Sequence, residues 1–186
     1  MASWLFRGLS QYLKEAPLAP VSSPQAAVLV LISRGDNPSI LFTKRAAHLR
    51  NHPGEVCFPG GMWEPGDTSL LMTAQRETLE EIGLPAGQIQ LLGCLPQCHT
   101  RAGTLVTPFV AAFDASFPLQ PSPHELDSIF MVPIAEFKNL QVRVDYFERP
   151  GLCQQVPVYH YQSYEIWGFT AAVTAELLLL VERTQA

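Results

Sequence analysis

The stretch GGMWEPGDTSLLMTAQRETLEEIGL, residues 60–84, joins two adjacent glycines, a short loop and an acidic helical pattern. Its Glu77, Glu80 and Glu81 stand at positions i, i+3 and i+4, so they share one helix face within a single turn. Like charges in this arrangement oppose helix formation by roughly 0.2–0.5 kcal/mol per pair. The stretch therefore predicts that a bound cation offsets the repulsion.

The helix itself is predicted over about residues 68–82. Asp67 or Thr68 is the expected N-cap, and Gly83 is the expected C-cap. At about 100° per residue, four apolar side chains gather on the side roughly opposite the three glutamates. They are Leu71, Met72, Leu79 and Ile82. We expect this apolar side to pack on the protein and the acids to face a cleft or water.

The composition limits the possible classes of protein. With 186 residues, 47% of them apolar and 16% charged, the chain can bury a full core as one domain. The net charge of −5 and the lack of a basic block argue against a nucleic-acid partner. No apolar run approaches the roughly 18 residues of a membrane span. Four cysteines without a secretory leader predict reduced thiols and a cytoplasmic location.

Along the chain, residues 1–24 are predicted to form an amphipathic N-terminal arm and a Pro-rich linker, followed by the main domain over 25–186. The apolar stripe of the arm favours packing on the domain over a membrane anchor. Runs typical of strands occupy 26–33, 39–45, 55–61, 89–95, 105–113, 128–137 and much of 142–167, and a closing helix is expected near 170–183. The first two runs suggest a hairpin. Mixed strands with few helices predict an α+β or α/β sandwich.

Clustered carboxylates without Cys or His partners are hard oxygen ligands, which suit Mg²⁺ or Mn²⁺ better than zinc. The implied substrate is a phosphate ester or anhydride, because Mg²⁺ completes its shell with water and phosphate oxygens. The alternative for these residues alone is a solvated acidic face. A zinc site at Cys94, Cys98 and His99 is disfavoured, since the sequence lacks the second half-site of a structural zinc module.

Residues 60–84 resemble the Nudix box: glycine, a short loop, an acid, a helical spacer, then Arg-Glu, two residues, Glu-Glu, one residue, Gly and an aliphatic residue. The segment departs from the general pattern by having Asp67 in place of Glu and one extra spacer residue before Arg76. The preceding LFTKRAAHLRNHPGEVCFPGG, residues 41–61, resembles the second motif of the coenzyme A diphosphatase branch, which often shows the same departures. GTLVTPFVA (103–111) and IWGFTAAV (166–173) are also similar to that branch.

The resemblance implies a Nudix α/β/α sandwich with a mixed sheet, and attack of water on a diphosphate phosphorus. It implies that Glu77, Glu80 and Glu81 bind Mg²⁺ or Mn²⁺ and that Arg76 orients them, with Asp67 as its ion-pair partner. Glu125 is a further candidate catalytic acid, with an exposed loop acid as the alternative. The candidate substrate-binding residues are Arg45, His48, Arg50, His52, Gly60 and Gly61.

The leading hypothesis is a hydrolase that splits coenzyme A or acyl-coenzyme A into adenosine 3',5'-bisphosphate and (acyl-)4'-phosphopantetheine. The first alternative keeps the chemistry but takes another nucleoside diphosphate derivative, such as ADP-ribose or NADH, or a nucleoside triphosphate. A non-catalytic Nudix-fold binding module is the second alternative, but such a module is expected to have lost one or more box acids. All are present here.

Overall fold

A computed structural model describes residues 3–15, 25–149 and 152–185 of the chain. Its strands are β1 (Gln25–Ser33), β2 (Ser39–Arg45), β3 (Val56–Cys57), β4 (Gly60–Met62), β5 (Ile89–Cys94), β6 (Cys98–His99), β7 (Leu105–Phe113), β8 (Leu126–Pro133), β9 (Gln141–Arg149), β10 (Leu152–Tyr161) and β11 (Tyr164–Ile166). Its α-helices are α1 (Ser3–Tyr12), α2 (Leu70–Ile82) and α3 (Gly168–Arg183). Short 3-10 helices cover Ala86–Gln88 and Ile134–Lys138.

Strands β1 to β8 form one mixed sheet, and β9, β10 and β11 form a second, antiparallel sheet. In the first sheet β1 runs parallel to β7 and antiparallel to β2 and β4. Helix α2 packs with one apolar cluster, whereas α1 and α3 contribute to the other. Helices therefore cover both faces of the sheet, and the predicted mixed α+β sandwich is confirmed.

The predicted hairpin of β1 and β2 forms, but its strands diverge soon after the turn. They pair at Ile32 and Ile40, after which β4 occupies the edge of β1 and β3 pairs with β2. The Leu29 N–H donates to the Pro59 carbonyl, 2.8 Å away, which fixes the connection between β3 and β4 in the gap. The predicted single extended run over 55–61 is thus two short strands. This insertion brings the glycines of β4 to α2.

Helix α2 begins one residue later than a cap at Thr68 predicts and two residues later than a cap at Asp67 predicts. Ser69 is the N-cap, and its hydroxyl accepts a hydrogen bond from the Met72 N–H at 3.1 Å. Asp67 is not the cap because its carboxylate binds Arg76 and Thr73 instead. Gly83 is the C-cap as predicted, with the φ of 70° that glycine adopts without steric cost.

The predicted packing side of α2 is wrong in part, because Ile82 is buried and Leu71 packs against the core as expected, but the other two apolar residues do not. Met72 and Leu79 are 41% and 51% exposed, whereas Glu81 is buried. The buried side consists of Leu70, Thr73, Ala74, Thr78, Glu81 and Ile82. Small side chains let the helix approach the sheet closely, and two of the polar groups on this side are satisfied locally. Thr78, for example, donates to the Ala74 carbonyl at 2.7 Å.

Helix α1 packs on the sheet as predicted for the arm, because Leu5 and Leu9 are buried in the cluster that α3 also enters. After α1, Lys14 and Cys94 exchange two backbone hydrogen bonds of 3.0 Å, which extend the sheet beyond β5. The predicted linker, residues 16–24, lies outside the described residues, so the division into arm and domain stays a prediction. None of the helices in the described ranges is long and apolar enough to cross a membrane.

Candidate active site

The acidic turn of α2 places its three glutamates in different environments. Glu81 points into the protein and is 2% exposed, whereas the Glu80 side chain is 54% exposed. The Glu77 side chain lies between these extremes, at 18%. The three carboxylates of this turn are therefore exposed, partly buried and buried in the order Glu80, Glu77 and Glu81.

Glu81 is held against the glycine strand. Its Oε2 accepts a hydrogen bond from the Gly60 N–H at 3.2 Å. Gly60 has a φ of +149°, and a Cβ there would collide with the Ala27 carbonyl oxygen. A Cβ at Gly61 would collide with the carboxylate of Glu77. Both glycines are therefore needed for the helix acids to reach the strand.

Burial raises the pKa of Glu81 to about 8. The Gly60 N–H and the positive charge of Arg45 lower the pKa, and the negative charges of Glu77 and Glu125 raise it further. Burial also raises the pKa of Glu77, although Arg76 opposes the shift. These two carboxylates have too little positive charge near them to compensate for their burial. A cation bound beside them would supply it.

Arg76 binds Asp67 through two hydrogen bonds. Its Nε donates to Oδ1 at 3.1 Å and its Nη2 to Oδ2 at 3.0 Å. The remaining donors reach the Met62 carbonyl at 3.2 Å and Glu77 Oε1 at 2.8 Å. The Glu80 carboxylate lies 3.5 Å from the same Nη1. Arg76 therefore connects the loop before α2 to the acids on the helix.

Asp67 is the most fully bonded carboxylate of the site. Besides Arg76, the Thr73 hydroxyl donates to its Oδ2 at 2.8 Å and the Glu64 N–H donates at 3.2 Å. The Arg76 guanidinium is the main reason that the pKa of Asp67 is held below its usual range. Trp63 Nε1 also donates to the Asp67 carbonyl at 3.0 Å, which fixes the loop.

Thr73 and Trp63 were missed at the sequence level. The only signal for Thr73 is a polar residue among the apolar ones of a helix, three positions before Arg76. A threonine there is compatible with a bond to its own helix, and Thr73 Oγ1 also lies 3.3 Å from the Ser69 carbonyl.

Arg45 and Glu125 meet where β2 ends and β8 begins. The Ala46 N–H donates to the Glu125 carbonyl at 2.8 Å, and Arg45 is paired with Leu126 across the two strands. The charges of both side chains act on Glu81. Within the described chain, the buried Nε of Arg45 has no hydrogen-bond partner. The structure thus brings these two predicted residues to the acidic turn.

The other predicted substrate-binding residues lie in the loop after β2. His48, Arg50 and His52 are all exposed. His52 has a φ of 54°, and its Nδ1 lies 2.9 Å from Glu55 Oε2. No hydrogen bond connects these three side chains to the acids of α2 in the described part of the chain. The loop therefore presents its basic groups to solvent beside the site.

The acids can be tested as ligands for a divalent cation. Among the described residues, no three His, Cys, Asp or Glu side chains converge as a preformed metal site. Arg76 Nη1 instead lies near both Glu77 and Glu80. The donor chemistry nevertheless fits, because carboxylate oxygens suit hard cations and the buried Glu81 has an uncompensated charge when ionised. The thiol of Cys94 belongs elsewhere, since it donates to the carbonyls of Lys14 and Glu15.

Known proteins share this architecture. A family model of the NUDIX domain matches residues 23–150. A protein of Enterobacter sp. (strain 638) described as uncharacterized Nudix hydrolase NudL is 37% identical over 158 residues, which cover 84% of this chain and 82% of that protein. Its namesake from Photorhabdus laumondii is 39% identical over 159 residues, with 84% of each chain covered.

Solved structures show the same fold at low sequence identity. The NUDIX domain of Shewanella oneidensis NrtR, complexed with ADP ribose, superposes with a TM-score of 0.55 at 15% identity and covers 90% of this chain and 91% of that one. A C. elegans Ap4A hydrolase in a binary complex gives a TM-score of 0.51 at 20% identity, covering 63% and 85%.

The matched domain contains the whole acidic turn, its glycine strand and the Asp67–Arg76 pair. Nudix hydrolases generally use divalent metals, which the donor set described above fits. The chain therefore belongs to the Nudix hydrolase family and acts on the pyrophosphate bond of a nucleoside diphosphate derivative.

Proposed function

We propose that this protein is a Mg²⁺- or Mn²⁺-dependent diphosphatase that hydrolyses coenzyme A or acyl-coenzyme A. The products are adenosine 3',5'-bisphosphate and (acyl-)4'-phosphopantetheine. The observation that carries the proposal is the position of Arg45. This residue ends β2, where the loop with His48, Arg50 and His52 begins, and its charge acts on Glu81. The segment LRNHPGEV that follows resembles the coenzyme A diphosphatase branch.

Glu77, Glu80 and Glu81 are the residues that would hold the metal. When bound, Mg²⁺ or Mn²⁺ neutralises diphosphate charge and lowers the pKa of a bound water. Arg76 orients Glu77 through its 2.8 Å hydrogen bond, and Asp67 fixes Arg76 in turn. The Gly60 N–H fixes Glu81. These contacts hold the acids in place before a substrate arrives.

Hydrolysis requires a water oxygen to attack one phosphorus while the bond from that phosphorus to the bridging oxygen breaks. We propose Glu125 as the group that accepts the proton of the water, because it is a carboxylate immediately before β8, where its backbone carbonyl accepts from the Ala46 N–H beside Arg45. The bridging oxygen leaves with the second phosphate. Arg45 contributes positive charge beside the phosphates, where its guanidinium can bind oxygens through more than one donor.

His48, Arg50 and His52 are the proposed recognition groups for the 3'-phosphate of coenzyme A. Arg50 is the strongest of them, because its guanidinium stays charged at any working pH and its planar fork can bind a phosphate through two donors. A competing function follows from the NUDIX domain bound to ADP ribose, since the same acids would cut that diphosphate. ADP-ribose has no 3'-phosphate, so the two functions predict different roles for Arg50.

The decisive experiment compares coenzyme A, dephospho-coenzyme A, acyl-coenzyme A, ADP-ribose, NADH and nucleoside triphosphates with either metal, with products identified by mass. We expect coenzyme A to exceed dephospho-coenzyme A and ADP-ribose in kcat/KM. Arg50→Ala should raise the KM for coenzyme A about tenfold or more, as expected for a lost charge-assisted hydrogen bond of about 1.5–3 kcal/mol, and should affect dephospho-coenzyme A much less.

Arg34→Ala is the matched control, because Arg34 is an exposed arginine that binds Gln90 at the far end of β1. It should leave both substrates unchanged. Equal cleavage of coenzyme A and dephospho-coenzyme A by wild type, with Arg50→Ala and Arg45→Ala treating them alike, would contradict recognition of the 3'-phosphate. The broader nucleoside diphosphate function would then be favoured. Lack of turnover of every substrate would favour a binding module.

We also propose a cytoplasmic location and a division into an arm (1–24) and a catalytic domain (25–186). The first is supported by the free thiols of Cys57, Cys94 and Cys98, and the second by a family match that begins at residue 23. The side chain of Cys153 lies outside the described residues.

A further inference from the structure

Strand β9 is the outer strand of the three-stranded sheet. It pairs with β10 along its whole length, and no other strand in the described ranges pairs with it. An outer strand with a free backbone edge is a template for pairing with another strand. By contrast, the β5 edge of the large sheet is partly covered, since Lys14 bonds to Cys94 there.

The exposed part of β9 is apolar on one face and charged on the other. Val142, Val144 and Tyr146 are 48%, 47% and 66% exposed, and their alternate positions place them on one face of the strand. Arg143 and Asp145 lie between them on the opposite face. Three exposed apolar side chains on one face of an outer strand indicate a surface that binds another protein chain.

The register with β10 indicates which backbone groups of β9 point outward. Val144 is paired with Pro157, which has no N–H and so cannot exchange two hydrogen bonds with Val144. The pair is therefore expected to be of the non-hydrogen-bonded type, which directs the N–H and C=O of Val144 away from β10. Because strands alternate, the same groups of Val142 and Tyr146 also point to the free edge.

From this edge we infer that two copies of the chain dimerise by antiparallel pairing of their β9 strands about a two-fold axis at Val144. In that register Arg143 of each copy lies opposite Asp145 of the other, and Val142 lies opposite Tyr146. An axis centred on Arg143 or Asp145 would instead set like charges opposite each other, which disfavours pairing. The sequence around Val144 is thus complementary to itself, as a two-fold interface requires.

Side-chain contacts within one copy are compatible with this pairing. Arg143 Nε lies 3.0 Å from Asp145 Oδ1, and its Nη2 lies 3.6 Å from Glu165 Oε1. The Arg143 and Asp145 side chains are 55% and 51% exposed, so both can reach across to a second strand. The other long outer strand, β8, has one charged residue, Asp127, and ends at Pro133. It has no opposite charge to pair with in a second copy.

The test is the mass of the full chain in solution, measured by light scattering after size exclusion over a dilution series. Wild type should elute at twice the chain mass of 20.6 kDa. Arg143→Asp and Asp145→Arg should each weaken dimerisation at least about tenfold, because each sets like charges opposite each other twice per dimer. The double variant that exchanges the two charges should dimerise like wild type.

Val144→Pro is a second way to disrupt the dimer. It removes the central N–H that points to the free edge, and it leaves the hydrogen bonds between β9 and β10 in place. Circular dichroism and thermal unfolding should show each variant folded. A monomeric wild type would overturn the inference. A dimer that both single charge reversals leave intact would also overturn it, since the interface would then lie elsewhere, as would a charge exchange that fails to restore the dimer.

Discussion

Asp67 and Glu81 are two buried carboxylates, 8% and 2% exposed, whose pKa values are shifted in opposite directions. Asp67 receives two hydrogen bonds from Arg76, one from Thr73 and one from a backbone N–H. Among the described residues, Glu81 receives a single hydrogen bond, from the backbone N–H of Gly60. Similar burial therefore gives an ionised group in one place and a group that resists ionisation in the other.

We interpret this as the difference between a structural carboxylate, Asp67, and a proposed metal ligand, Glu81. Asp67 completes its interactions within the protein and thereby fixes the loop and Arg76. Glu81 has a charge that the protein only partly compensates, which is the condition expected of a group that binds a cation or a proton during function. A buried acid with little compensating charge destabilises the fold, and a bound ligand can offset that destabilisation.

Breaking the ion pair between Asp67 and Arg76 should have the largest effect on the stability of the protein. We expect Asp67→Asn to lower the free energy of unfolding by about 2–4 kcal/mol, because it leaves the partly buried Arg76 without its main partner. Denaturant unfolding measures the change. Asp114→Asn is the control, since Asp114 is exposed and bonds only locally to Ser116. Equal stability of Asp67→Asn and wild type would contradict a structural role for this pair.

Neutralising Glu81 should lower activity without lowering stability. Glu81→Gln, and likewise Glu80→Gln, should lower kcat at saturating metal by about 100-fold or more, equivalent to about 2.7 kcal/mol of barrier. The metal-free stability of Glu81→Gln should hold or rise, because on folding the buried Glu81 must either take up a proton or keep a poorly compensated charge, and glutamine does neither.

Glu176→Gln, on the exposed side of α3, is the matched glutamate control and should change neither quantity. Near-normal turnover of both Glu80→Gln and Glu81→Gln would refute the proposed metal ligands. Loss of stability in Glu81→Gln equal to that of Asp67→Asn would remove the distinction between the two carboxylates.

The pH dependence of the stability of the metal-free protein gives the last test of the comparison between Asp67 and Glu81. The folded pKa of Glu81 is about 8 against an ordinary 4.5, so the unfolded chain releases this proton first as pH rises. Stability should therefore fall as the pH rises from about 4.5 to about 8, the interval between the unfolded and folded pKa values. Asp67 acts in the opposite sense, because its lowered pKa gives stability that is present above pH 3.8 and lost in more acidic solution.

Chemical unfolding at several pH values, with a chelator present, measures this slope. Glu81→Gln should flatten it, and an excess of divalent cation should flatten it in wild type. An unchanged slope in Glu81→Gln would assign the pH dependence to other groups.

Much of this fold is predictable from local sequence. The runs at 26–33, 39–45 and 105–113 become β1, β2 and β7 within one residue, since strand patterns are set by neighbouring residues. Gly83 ends α2 for an equally local reason. The pairing of Arg76 with Asp67 was expected from the resemblance to the Nudix box, and the structure shows it.

The burial of Glu81 was not predictable in this way. Helical periodicity placed an apolar side of α2 on the core, but the helix buries the side that carries Thr73, Ala74 and Glu81. The cause is distant in sequence: Gly60 and Gly61 lie in the gap between β1 and β2 and admit the acids at close range.

The sequence by itself determined where β1, β2, β7 and the acidic helix lie, that three carboxylates share one turn, and which family the chain resembles. These properties depend on residues a few positions apart. Only the tertiary structure decided which carboxylate is buried, which one is paired, that Arg45 and Glu125 meet beside them, and that no described strand covers the outer edge of β9. Burial and electrostatic environment depend on segments that approach each other through space, and no local pattern encodes those distances.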